Sequence, residues 1–275
     1  MGLRVATNMA SIASQRALGG QTKRQEHASM ALASGSKIVR ASDDAAGLAI
    51  SEGMKSEIRG TAAARNNAFN AISAIQVGEG GLSETTNLLT RLRELGVQSA
   101  SDTIGEKERA YLQQEAGSIL EEIDRIAKTT KFGDKNLIDG SNPTFEFHVG
   151  TNAGKENIIT FQSEANSTTA ELGLDGANIA DKSGARDLLG NLDTALARVS
   201  KIRAGFGAMQ SRLESTVNGL DMRSENLSAA RSRITDADVA KESSELASAN
   251  MLQMAAISVL SQANQQPMVA MKLIG

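Results

Sequence analysis

The chain has 275 residues, a net charge of −3, no cysteine, no tryptophan, one tyrosine and two prolines. Without a basic surplus there is no electrostatic footprint for nucleic acid, and without thiols there are no disulfides, thiol nucleophiles or cysteine zinc sites. Aromatics at 3% and so little proline point to long helices packed by aliphatic side chains.

The first 22 residues carry only Arg4 and Arg16 as charges, and Met9, Ile12, Ala13 and Ala17 make a weak helical stripe. They show no basic segment followed by an apolar one, so no conventional secretory signal is expected. ASDDAAGLAISEGMKSEIRG follows at Ala41–Gly60. Ser42 or Asp43 is expected to cap a helix whose small residues let a neighbour approach closely. Read as chemistry, Asp43 and Asp44 would be a catalytic carboxylate pair, yet no nucleophile motif, histidine or metal-ligand set accompanies them. The stretch reads better as a joint between two packed layers.

Ile75, Leu82 and Leu89 recur every seven residues, joined by Leu88, Leu92 and Leu95. The segment from Ser99 to Gly105 is expected to break this helix from the next, which carries a stripe of Leu112, Ala116, Ile119, Leu120, Ile123 and Ile126. From Phe132 to Asn178 the pattern changes. FGDKNLIDGSNP is turn chemistry, and TFEFHVG and IITF flank the loop GTNAGKEN as the one convincing strand pair.

That region also holds decoys. GTNAGK (Gly150–Lys155) is one residue short of a phosphate loop and has Glu156 where Ser or Thr belongs. DKNLIDG is a poor calcium loop, since Ile138 occupies a ligand position. His27 and His148 stand far apart, which argues against zinc. Asn166 and Asn226 match the glycosylation acceptor pattern, which means little without a secretory signal. No cofactor is implied, and an enzyme is the least supported class.

Leu192, Val199, Phe206, Leu213, Leu220, Leu227 and Ile234 then recur at seven-residue steps. Ala195, Ile202, Met209 and Ala230 form a second row, which Thr216 and Arg223 interrupt. This is the seam of a coiled-coil-like helix, roughly 70 Å long over Leu188 to Ile234 at the helical rise per residue. Gly205, Gly207 and Gly219 weaken it locally. From Leu246 to Met271 there is no charged residue. Asn250, Gln253, Gln262, Asn264, Gln265 and Gln266 argue against a membrane span, because amides are costly in lipid and the apolar runs are short. A helix without a charged face needs covering on all sides. Either the two ends pack on each other, or many copies bury them together.

Several stretches resemble the bacterial flagellins. These are SGSKIVRASDDAAGLAISEGMKSEIRG (Ser34–Gly60), ARNNAFNAISAIQVGEGGLSE (Ala64–Glu84), LLTRLRELGVQSA (Leu88–Ala100) and FGDKNLIDG (Phe132–Gly140). Near the other end they are FGAMQSRLESTVNGL (Phe206–Leu220), SAARSRITDADVAKE (Ser228–Glu242) and VLSQANQQP (Val259–Pro267). The resemblance implies a mainly α fold. Its antiparallel long-helix bundle carries a small β-hairpin, and its terminal helices form an inner layer around a filament channel. The layers would comprise 1–44 with 236–275, and 45–235. The chain resembles a short flagellin without the variable outer domains, and without the HExxH of flagellins that carry protease insertions.

The implied function is a filament subunit that self-assembles and is exported unfolded by the flagellar type III apparatus. Implied partners are further copies of itself, flagellin paralogues, hook-junction and cap proteins, and an export chaperone; neither nucleic acid nor a membrane span is implied. Inner-layer packing falls to Leu3, Val5, Met9, Ile12, Leu252, Ile257, Val259, Leu260, Leu273 and Ile274. TRLRELGVQ resembles the segment recognised by a vertebrate Toll-like receptor, with Arg91, Leu95 and Glu115 at the matching positions. The family usually has alanine where this chain has Gly96. The rivals are a hook–filament junction protein, which SRITDADVA and SQANQQP disfavour, and a secreted helical effector or adhesin.

Overall fold

The structure is a computed structural model that describes residues 7–274, with side chains described for 7–268. Six α-helices and two short antiparallel ladders form among the described residues. The chain divides into two compact units, Met1–Ser56 with Asn226–Gly275, and Glu57–Glu225.

The first unit contains α1 (Met9–Ser34) and α6 (Val239–Ile274), together with the start of α2 (Ala45–Ser99) and the end of α5 (Lys182–Thr235). Local chemistry sets the helix ends. Asn8 caps α1, its side-chain oxygen accepting from the Ser11 N–H at 3.1 Å, and Gly35 ends the helix in the left-handed conformation (φ 69°). Asp238 caps α6, accepting from the Ala240 and Lys241 N–H groups. The cap of α2 is Asp44, whose carboxylate accepts from the Gly47 N–H at 2.9 Å. This corrects the expectation of Ser42 or Asp43. Asp43 instead closes the preceding turn, accepting from the Val39 and Arg40 N–H groups at 3.1 and 2.8 Å. The two carboxylates are thus consumed in consecutive caps.

The second unit is an antiparallel bundle of α2, α3 (Glu106–Thr129) and α5. Glu106 and Glu108 stand in the first turn of α3 and Lys128 in its last, as the helix dipole favours. Ion pairs Arg65–Asp221, Arg203–Glu79 and Arg93–Asp193 mark the α2–α5 register. Such exposed pairs are worth at most about 1 kcal/mol each, so the stability comes from the core. That core joins Ile75, Leu82, Leu89, Leu92 and Leu95 of α2 to Ile119 and Ile123 of α3 and to Leu192, Val199, Phe206 and Leu213 of α5.

The second row of the α5 seam shifts at the expected interruption: Thr216 is only half-buried, and Val217 one residue on takes the core place. α5 runs unbroken through Gly205, Gly207 and Gly219, where an added Cβ would meet nothing.

The hairpin pairs β3 (Thr144–His148) with β4 (Ile158–Gln162) and sets Phe145 opposite Phe161 and Phe147 opposite Ile159. These four share one face, as the two-residue strand period requires, and join the bundle core. A second ladder lies inside the segment read as turn only. β1 (Lys131–Phe132) pairs with β2 (Lys135–Asn136) around a two-residue turn with Gly133 at φ 60°. Two residues a side are too few to show alternation in a sequence. The segment after β4 carries a short α4 (Thr169–Leu172). It is pinned by the Gln113 side chain, which accepts from the Ile179 N–H and donates to the Ala177 carbonyl.

Candidate functional site

The terminal helices α1 and α6 lie antiparallel. At one end the Asn8 amide donates to the Ala263 carbonyl at 2.7 Å, and the Ser11 hydroxyl donates to the Asn264 side chain at 2.8 Å. At the other, Ser36 and Asp236 form an antiparallel bridge, with the Lys37 N–H on the Thr235 carbonyl and the Ala237 N–H on the Gly35 carbonyl. Both anchors keep one register across the pair.

The facing surfaces follow a heptad. On α6 the protected positions include Ala249, Gln253, Ala256, Leu260, Ala263 and Pro267; on α1 they include Ser11, Ser14, Leu18, Gln21, Gln25 and Ala28. Steps of three and four residues keep one stripe facing the partner. The residues are mostly small or polar, and the Gln21 side-chain oxygen is buried without a hydrogen-bond partner. Small side chains let the helices approach closely but bury little apolar area.

The large apolar side chains point the other way. Met9 is 60% exposed, Leu252 48% and Met254 70%, and Ile12, Met251, Ile257, Val259 and Met268 are also exposed. Leu260 differs from these, being half-buried on the seam. Leu3, Val5, Leu273 and Ile274 lie outside the residues whose side chains are described. A chain whose termini pair through small residues leaves large apolar side chains exposed along a stretch of α6 that carries no charge. Faces of this kind mark association surfaces. The sequence picks out Met9 and Leu260 but not the other seam residues or Met251, Met254 and Met268, although Ala249, Ala256 and Ala263 recur at steps of seven.

Acids fasten the chain crossings of this unit. The Arg40 N–H holds the Asp43 carboxyl below the usual carboxylate range, with the Val39 N–H and His27 adding and partial desolvation opposing. The Ser232 and Thr235 side chains hold Asp236 down in the same way. A depressed carboxylate pKa contributes stability in full above its unfolded value of about 3.9, and loses it as pH falls through the folded value. Amide exchange at Val39 and Arg40 is therefore expected to accelerate relative to the bundle amides as pH drops below about 4. Equal slowing of both sets would contradict that role.

The other sequence-selected residues lie in the second unit, except Leu227 and Ile234, which belong to the first. Leu192, Val199, Phe206, Leu213 and Leu220 are buried, whereas Leu227 and Ile234 are half-buried. Arg91 and Glu115 meet across α2 and α3 at 2.8 Å and are exposed, while Leu95 is 1% exposed and faces the core. Among the described residues no group of three or more His, Asp or Glu is placed to hold a metal, and no helix is long and apolar enough to cross a membrane.

Residues 5–143 match the model of the bacterial flagellin N-terminal helical region, and residues 189–274 match that of its C-terminal helical region. A flagellin of Halalkalibacterium halodurans is 41% identical over 97% of this chain and 98% of its own. The flagellar filament 33 kDa core protein of Treponema phagedenis is 39% identical over 97% of this chain and 98% of its own. The crystal structure of Bacillus cereus flagellin superposes with a TM-score of 0.51 at 26% identity, covering 60% of this chain and 94% of that one.

Proposed function

Since the chain belongs to the bacterial flagellin family and is a structural subunit of the flagellar filament, we propose that it polymerises by burying the outward apolar face of α1 and α6. The observation that carries this reading is the pairing of the termini through small residues, which leaves Met9, Ile12, Leu252, Ile257 and Val259 uncovered. Copies stacked by a rotation that does not close form a helix, and each supplies the cover its neighbour lacks. Leu3, Val5, Leu273 and Ile274 extend the same inner layer, and Leu260 supports it from the seam.

The proposed layers are 1–44 with 236–275 inside and the bundle 45–235 around them, held by the α5 seam. Long helices of low aromatic content, with no cysteine to cross-link them, suit a chain exported unfolded by the type III apparatus. An export chaperone, flagellin paralogues, hook-junction proteins and cap proteins complete the proposed partners. Recognition by a host Toll-like receptor would use the exposed Arg91–Glu115 pair, with Leu95 supporting it from beneath.

Seeded elongation tests the reading. Purified protein mixed with short filament seeds and polymerising salt is expected to give long filaments of uniform width by electron microscopy. A monomer that never elongates would overturn self-assembly through these helices.

A further inference from the structure

The ten methionines of the chain are not evenly placed. Among the residues whose side chains are described five are strongly exposed, and four of these, Met9, Met251, Met254 and Met268, stand on the terminal helix pair; the fifth is Met222. Met251 and Met254 are three residues apart on α6 and share its outward side. Their neighbours on that surface are Leu252, Ile257 and Val259, with no charge among them. Met209, by contrast, is buried in the bundle.

A thioether is the most readily oxidised of these apolar side chains. Its sulfur attacks one oxygen of a peroxide, the O–O bond breaks and an S–O bond forms. The sulfur loses two electrons, the peroxide gains them, and the released hydroxide takes the remaining proton to leave as water. The product is a polar sulfoxide in place of an apolar side chain. On an exposed monomer surface the change is mild, because water solvates the new oxygen. Packed against apolar side chains, the same oxygen would be buried unpaired.

We infer that Met9, Met251, Met254 and Met268 are a peroxide-sensitive modification site that switches off assembly of the free subunit and is shielded once the subunit is in the filament. The inference rests on the proposed burial of the terminal helices and adds its chemical consequence. The site is open only between synthesis and assembly, so damage falls on subunits not yet incorporated. Sulfoxide reductases, which reverse the modification, would return such subunits to use.

Monomer and preformed filaments would be treated with the same dose of hydrogen peroxide. Sulfoxides would then be mapped by peptide mass spectrometry, and treated monomer offered to seeds. The four methionines are expected to oxidise at least about tenfold faster in monomer than in filament, and faster than Met209 in either. Oxidised monomer is expected to elongate seeds at less than about a tenth of the untreated rate, with recovery after MsrA and MsrB treatment. A variant with all four replaced by leucine is expected to show the same elongation rate, whatever that rate is, before and after the same dose. Sulfoxides at the four sites with unchanged elongation would overturn the inference, as would equal oxidation in filaments or equal loss in the leucine variant. Failure of untreated monomer to elongate would instead defeat the assembly reading itself.

Discussion

Leu252→Asp is expected to stop seeded elongation while leaving the folded monomer nearly unchanged. Leu252 is 48% exposed and lies outside the stripe of α6 that faces α1, on its flank. A substitution at such a place changes monomer stability by no more than about 0.5 kcal/mol. In the assembled face the aspartate would be a buried charge without a partner, which costs several kcal/mol. Every copy carries the same defect, so no subunit can escape it by choosing another neighbour. At about 1.4 kcal/mol per factor of ten, a cost of 3 kcal/mol per contact lowers the subunit affinity of a growing end more than a hundredfold. Leu260→Asp gives the contrast. Leu260 lies on the seam against α1, so its aspartate should block assembly and also loosen the terminal pair. Circular dichroism and amide exchange read the monomer, and electron microscopy and sedimentation read the polymer. Elongation by Leu252→Asp within twofold of the native rate would remove α6 from the assembly surface.

The long helices were legible because their signal repeats. Seven residues at heptad spacing in α5, and the two stripes on α2 and α3, each average out local exceptions such as Gly205. Even there the sequence concealed the change of step from Thr216 to Val217, since only packing decides which of two neighbours faces inward. The hairpin was legible from the alternation of Phe145, Phe147 and Val149. The β1–β2 ladder was not, because its cause is a glycine turn with no hydrophobic period. The cap of α2 was misplaced because Ser42, Asp43 and Asp44 are all competent caps. Asp43 is taken by the Val39 and Arg40 N–H groups of the preceding turn, which leaves Asp44 to accept from the Gly47 N–H.

The candidate site was half legible. Absence of charge from Leu246 to Met271 located it, but a helix that is uncharged all round has no preferred face in a sequence. The inward face is set by Ala249, Ala256 and Ala263, whose small size carries little weight in a hydrophobicity pattern. Of the two readings of the ends, the pairing within one chain is seen, closed by small residues; the large side chains outside it are the ones proposed to be covered by further copies.

The second large effect lies in the bundle, where Gly78 and Phe206 are fitted to each other. A Cβ on Gly78 would stand 2.4 Å from Phe206 Cε2 and 3.4 Å from its Cδ2. The Phe206 ring is 3% exposed and meets Phe161 edge-on at 5.5 Å, so moving it aside would disturb that contact. Phe206→Ala is expected to cost about 3–5 kcal/mol, read as a lowered urea midpoint of bundle unfolding. Gly78→Ala alone should also destabilise, because overpacking of about 1–3 kcal/mol outweighs the helix-propensity gain of about 1 kcal/mol. In a Phe206→Leu background the sign should reverse. Leucine lacks the ε carbons, the closest contact vanishes, and only the propensity gain remains. The double-mutant cycle would then show coupling of about 1 kcal/mol or more, large for a glycine. If Gly78→Ala stabilises the native chain, the ring has room to move and the close fit of α2 on α5 is not what demands glycine. If it destabilises equally in both backgrounds, the constraint comes from something other than Phe206. Sign reversal is the outcome that ties this glycine, inside a helix of 55 residues, to a single aromatic ring on the facing helix.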